Sequence, residues 1–150
     1  MMRPRGFSLV ELVVVMVLIA ALAALGLAAI SAGLPGQQLR GAARELAAEL
    51  RFTRAQAIAT GREQVFLIHV GEKRWQGAGE RRGELPADVA LEVVGAREEL
   101  ESPQEIAIRF FPEGAATGGR LVLRRGEAAW RVDVAWLTGE VRLRRGEGEP

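Results

Sequence analysis

Five residues at the start of the chain carry the most specific chemistry in the sequence: Arg3, Arg5, Gly6, Phe7 and Glu11, at the head of "RPRGFSLVELVVVMVLIAALAALGL". Gly6 is a small residue between an arginine and a phenylalanine, just upstream of a long apolar run. A peptidase cutting after Gly6 would remove a short basic leader and leave Phe7 with a free α-amino group. Glu11 would then be the fifth residue of the new chain, about one helical turn from that amine. A carboxylate at the mouth of an apolar segment needs a reason, because an unpaired charge in hydrocarbon costs roughly 2.5–3.5 kcal/mol or more. Two reasons are open. The acid can sit at an interface and favour its own helix N-terminus through the dipole. Alternatively it can find a partner in the free α-amino group that the cut would create, one helical turn away.

The run itself, Leu12 to Ile30, has 19 residues without a charge, and a bilayer core takes about 20. Three readings fit an apolar helix of this length. A buried soluble helix rarely runs so far without a polar face. A secretory signal peptide would use Arg3 and Arg5 as its charged region and a small-x-small site within "ALGLAAISA". A retained membrane helix behind a short leader fits best, because Gly6 lies before the run and a cut there keeps all of it. Arg3 and Arg5 then stay cytoplasmic, and residues beyond about 35 lie outside the inner membrane.

Elsewhere the composition closes more doors than it opens. The 150 residues contain no cysteine and a single histidine, His69, and the formal net charge is +1. Thiol chemistry, disulfides, a histidine triad and a multi-histidine metal site are therefore out of reach within one chain. No catalytic set stands out, so a non-enzyme is expected, with no cofactor and no metal. "GAATGG" (114–119) lacks the Lys-Ser/Thr of a phosphate loop and reads as a hairpin turn. Arginines gather near the C-terminus: Arg120, Arg124, Arg125, Arg131, Arg142, Arg144 and Arg145. If Arg124, Arg125, Arg142, Arg144 and Arg145 converged on one face, contact with DNA backbone or a protein partner would follow. The reading preferred is a solubilising sheet face balanced by Glu127, Asp133 and Glu140, with DNA not favoured.

The elements that must position these groups follow from periodicity. "SAGLPGQQ" (31–38) interrupts the apolar run, and Pro35 with Gly33 and Gly36 predicts a kink or short break. Beyond it, Leu39, Ala43, Leu46, Leu50, Thr53 and Ala57 form one helical stripe, widened by Ala42, Ala47 and Ile58. Arg40, Arg44, Glu45, Glu49, Arg51 and Arg54 fall mostly on the other faces and read as solvated, with i,i+4 pairing. Gly61 suits the stop. Strand patterns follow at 63–70, 88–94, 105–111, 120–125, 129–136 and 139–145, with a Gly- and Arg-rich link at 71–87. Ile106, Ile108 and Phe110 share a face, as do Trp130, Val132, Val134 and Trp136, the two tryptophans being read as core or edge packing, with an apolar partner patch as their alternative use. Short links predict mainly antiparallel pairing, hence an α+β domain with a long helix on a mainly antiparallel sheet.

"RGFSLVELVVVMVLIAALAAL" resembles the type III signal of type IV pilins and pseudopilins. "ELRFTRAQAIATGREQVFLIHV", "IRFFPEGAATGGRLVLR" and "VDVAWLTGEVRL" resemble the GspH/FimT branch of minor pseudopilins, so the resemblance covers nearly the whole chain. It implies a pilin-like fold and a division into leader (1–6), transmembrane and filament-core helix (7–34), amphipathic helix (35–61) and periplasmic β-rich domain (62–150). It also implies that a prepilin peptidase cleaves after Gly6 and methylates Phe7, and that Glu11 serves assembly by neutralising the Phe7 amine of a neighbouring subunit, a pair that would set register where apolar contacts among lipids give no direction. The partners it implies are the peptidase, other pseudopilins or pilins of the filament, and the inner membrane. The expected role is a structural subunit of the periplasmic pseudopilus of type II secretion. The same branch includes minor pilins of type IV pilus and competence machines, which act in pilus assembly or DNA uptake.

Overall fold

The computed structural model describes residues 9–94 and 105–146, with backbone alone for 24–35 and Val94. Gly6 and Phe7 lie outside the described residues. Among the described residues the helix α1 runs from Leu9 to Thr60 and is followed by eight strands: β1 (Gln64–His69), β2 (Arg74–Gln76), β3 (Arg82–Glu84), β4 (Ala90–Val94), β5 (Glu105–Phe110), β6 (Gly119–Arg125), β7 (Ala128–Val134) and β8 (Val141–Gly146). The helical assignment passes through Pro35 without the short break that the glycines and proline suggested. By their internal contacts the residues fall into two compact units, Met1–Pro35 and Gly36–Pro150.

In the first unit the described side chains belong to α1 alone. Leu9, Met16 and Leu22 are 79%, 65% and 67% exposed, and the valines, leucines and isoleucine between them are exposed too. Among the described residues no helix is long and apolar enough to cross a membrane. The side chains described in this half end at Ala23, whereas the sequence stays uncharged to Ile30.

The second unit has its own core. Leu39, Ala43, Leu46, Leu50, Thr53 and Ala57 are all fully buried. This is the 3.6-residue stripe the spacing calls for. Ile58 is the exception at 48% exposure. Strands form two four-stranded antiparallel sheets, ordered β3-β2-β1-β5 and β4-β6-β7-β8. Phe66, Ile68, Ile106, Ile108 and Phe110 come from the first sheet, and Leu121, Leu123, Val132 and Val134 from the second; they join the helix stripe in one apolar cluster.

Two features depart from the expected layout. The link at 71–87 contains β2, β3 and a 3-10 turn at Ala78–Glu80. Its strands are too short and polar to announce themselves by alternation, and an aromatic contact supports them beside their backbone pairing. Trp75 stacks on Phe66 at 5.6 Å and lies across Gly83. A Cβ at Gly83 would come within 2.4 Å of the indole. The stretch 114–119 is also not a simple hairpin turn. It folds back on β5 through a single bridge, Phe110 to Ala116, and then passes the chain to the other sheet, because β5 and β6 belong to different sheets.

Candidate functional site

Glu11 stands in the first turn of α1 as described, exposed, with apolar residues on every side. A surface helix normally keeps an apolar stripe of roughly 100° and a polar remainder. Residues 9–23 show no polar remainder apart from Glu11, so the covering of this helix must come from another medium or another molecule.

At the other end of α1, two arginines read as solvated from sequence are structural. The Arg51 guanidinium donates twice to the Val141 carbonyl, at 2.9 and 3.2 Å, and Arg54 Nε donates to the Gly114 carbonyl at 3.0 Å. They tie the helix to the start of β8 and to the turn that follows β5. Gly139 has φ +62°, and a Cβ there would stand 2.2 Å from the Gly114 carbonyl oxygen and 2.9 Å from Arg54 Nε. Only glycine lets the Gly139 turn, the Gly114 turn and the guanidinium meet. The Thr-Gly-x-Val and Gly-x-x-Thr-Gly-Gly stretches thus converge in space as a packing joint.

Glu49 was also misjudged by the helical pattern. It is 8% exposed and accepts from Arg81 Nε at 2.8 Å and from Arg81 Nη2 at 2.6 Å. The same guanidinium lies 4.6 Å over the Phe52 ring. This bidentate pair fastens the residues joining the 3-10 turn and β3 to α1. Thr53 supports the same region: its hydroxyl donates to the Glu49 carbonyl at 2.9 Å and accepts from Ala78 N–H at 3.4 Å. His69 sits at the end of β1, 3.8 Å from a Glu105 carboxylate oxygen.

The C-terminal arginines divide between two faces. Residues directly opposite in antiparallel strands share a face. The pairings Arg120–Asp133–Arg142 and Val122–Arg131–Arg144 put Arg120, Arg131, Arg142 and Arg144 together on the face away from the core, with Arg124 beside them. Arg125 and Arg145 lie on the opposite face, in register with Ala128 and Trp130. Arg125 reaches Gln38 of α1 at 2.8 Å and pairs with Asp88, so it joins elements rather than offering a surface.

On the outer face most charges are already matched. Asp133 accepts from Arg120 at 2.7 Å and from Arg131 at 2.9 Å, Arg124 pairs with Glu92 at 3.3 Å, and Arg142 donates to Glu140 at 2.6 Å. That hydrogen bond holds the Glu140 carboxyl below the usual carboxylate range, aided by the nearby charges of Arg142, Arg54 and Arg144 against a smaller opposing effect of desolvation. A groove of about 630 Å³ runs between these side chains. A phosphate entering it would meet two carboxylates, Asp133 and Glu140, as well as the arginines.

Of the two tryptophans expected to pack, one does. Trp130 is partly buried, with Arg40 of α1 at 5.4 Å over its ring. Trp136 lies beyond the end of β7 and is 69% exposed, with Leu137 at 67%. The alternation that placed Trp136 in a strand stops at Val134, where the chain turns.

A long N-terminal helix whose second half packs on antiparallel sheets, and whose first half is bare and apolar, is the pilin-like α+β architecture. Residues 42–139 match the family described as Type II transport protein GspH, and residues 1–27 match the prokaryotic N-terminal methylation motif. The chain is 48% identical over 138 residues to type II secretion system protein H of Xanthomonas campestris pv. campestris, covering 92% of this chain and 82% of that protein. It belongs to the GspH family. Among solved structures, the minor pseudopilin EpsH of the Vibrio cholerae type 2 secretion system superposes with TM-score 0.59 at 18% identity, over 75% of this chain and 99% of that one. The Pseudomonas aeruginosa type IV minor pilin FimU superposes with TM-score 0.58 at 15% identity, over 72% and 89%. At those identities both similarities speak to the fold.

Proposed function

We propose that this GspH-family chain is a minor pseudopilin, a structural subunit of the periplasmic pseudopilus of a type II secretion system, and that its first helical half is the assembly element. The observation that carries the assembly reading is the bare apolar surface of residues 9–23 beside a second half whose apolar stripe is fully covered. In this reading a prepilin peptidase cuts after Gly6 and methylates Phe7. Residues 7–34 then hold the subunit in the inner membrane, with Arg3 and Arg5 having fixed the N-terminus on the cytoplasmic side. Residues 35–61 continue the helix into the periplasmic domain of residues 62–150.

On assembly the apolar half exchanges lipid for the helices of other pseudopilins. Lipid and helix surfaces are similarly apolar, so burial alone gives little direction to that exchange. Glu11 supplies direction by pairing with the Phe7 amine of an adjacent subunit. The 48% identity to a protein H of type II secretion supports this machine over a type IV pilus or competence system.

Glu11→Leu tests the register role. The variant should insert into the membrane and be cleaved at the normal rate, yet fail to enter filaments in a sheared-filament or crosslinking assay. Normal incorporation of Glu11→Leu would refute the pairing.

A further inference from the structure

Trp136 and Leu137 are large, apolar and about two-thirds exposed, on the turn between β7 and β8. The backbone beneath them is fixed. Ala116 N–H donates to the Trp136 carbonyl at 2.9 Å, Gly139 N–H to the Ala135 carbonyl at 2.7 Å, and Ala135 N–H to the Glu140 carbonyl at 3.0 Å. Gly118, at φ +80°, packs closely against the turn, and a Cβ there would stand 3.0 Å from Trp136 Cβ. The fold therefore holds two apolar side chains in water on an ordered support, which a solvated turn has no need of. The adjoining groove is lined by Ala135 and Thr138 together with Arg120, Arg142 and Arg144. Among the described residues, Arg144 makes no hydrogen bond or ion pair.

We propose that this turn is a docking anchor for another protein subunit. Trp136 and Leu137 enter an apolar socket on the partner, and carboxylates on the socket's rim meet Arg142 and Arg144. Tryptophan and arginine are the residue types that dominate interface hot spots, and a preformed backbone removes part of the ordering cost of association. Charge chooses the partner's chemistry: the outer face carries Arg120, Arg124, Arg131, Arg142 and Arg144 against Glu92, Asp133 and Glu140, an excess of positive charge that favours an acidic rim. Nucleic acid fits less well, because Asp133 and Glu140 stand among the arginines and Leu137 has no counterpart on a phosphate backbone. The proposal rests on the filament-subunit reading, which says where the partner is met.

The test uses the full-length chain expressed with its secretion machinery, carrying a benzophenone side chain at position 137 or, as control, at exposed position 127 on the β6–β7 turn. Position 137 should give one discrete adduct with a different envelope protein, mapped by mass spectrometry to an apolar surface flanked by acids. Trp136→Ala should cut the yield by about 30-fold, the loss typical of a hot-spot residue. Arg142→Glu with Arg144→Glu should cut it at least about tenfold, with recovery when the partner's mapped carboxylates are changed to lysine. Equal yields at 127 and 137, an adduct only with DNA or with a second copy of this chain, or indifference to arginine reversal would overturn the proposal. Failure here is separable from failure of the assembly reading, since Glu11→Leu tests the latter at the other end of the molecule.

Discussion

The two halves of α1 are built from similar apolar residues and meet opposite fates. In residues 39–57 an apolar stripe is fully buried against two sheets, and the other faces carry charge. In residues 9–23 the apolar residues surround the helix and remain exposed. Both stretches form helix, and Leu and Ala, which favour it, recur in each. What separates them is where the covering comes from. The second half is covered by this chain's own strands, and for the first the proposed function supplies lipid or neighbouring subunits. On the proposed function, stability of the sheet-bearing domain and assembly of the filament are coded in different stretches of one helix, and substitutions can address one without the other.

The largest expected effect is a contrast between two leucines. Leu50→Ala, in the buried stripe, should destabilise the domain by about 2–5 kcal/mol, through lost burial and the cavity left behind. Leu18→Ala, on the bare half, should change domain stability by less than about 0.5 kcal/mol. Thermal or denaturant unfolding of the detergent-solubilised chain, followed by tryptophan fluorescence, reads both. Similar losses from the two would erase the distinction between the halves.

A smaller effect is expected at the joint that fixes the second half to the C-terminal turns. Gly139→Ala places a methyl against the Gly114 carbonyl and forces a positive φ on an L-residue. About 1–3 kcal/mol should be lost, with the damage centred on residues 111–119 and 135–141 in hydrogen exchange. Protection that falls uniformly across both sheets would argue against a local joint.

The smallest effect concerns pH. The Glu140 carboxyl is lowered by the Arg142 hydrogen bond. The stability this gives is present above the ordinary carboxylate range and is lost as pH falls through the lowered folded-state value. In Arg142→Ala the Glu140 titration, followed by carboxyl carbon NMR, should move up toward the ordinary range, and the acid-side loss of stability should become shallower. An unchanged Glu140 midpoint would remove Arg142 as the cause.

Much of this division was legible in the sequence, for physical reasons that differ by element. The buried stripe from Leu39 to Ala57 could be read because a helix against a sheet imposes a strict 3.6-residue period. Ile106, Ile108 and Phe110 could be read because a half-buried strand imposes a period of two. Where contacts are specific and long-range, pattern carries no signal. Nothing local marks Glu49 for burial, because its partner Arg81 is 32 residues away. Arg51 and Arg54 look like any solvated helical arginine until the carbonyls of Val141 and Gly114 are brought to them. β2 and β3 escaped because three-residue strands are too short for alternation, and their support is Trp75 lying on a glycine. Trp136 was assigned to a strand face by counting on past the residue where the strand ends. At the N-terminus the position is reversed: the chemistry of Gly6, Phe7 and Glu11 is readable in the sequence, while Gly6 and Phe7 lie outside the described residues.

The central claim is that the bare apolar half is kept in the mature protein as its assembly element. Intact-mass measurement on the native chain, recovered from membranes of cells that also make the prepilin peptidase, tests it most directly. The account predicts a chain beginning at Phe7 and carrying one added methyl group on its amine. A mature chain beginning beyond Ala20, with the apolar run discarded, would contradict it.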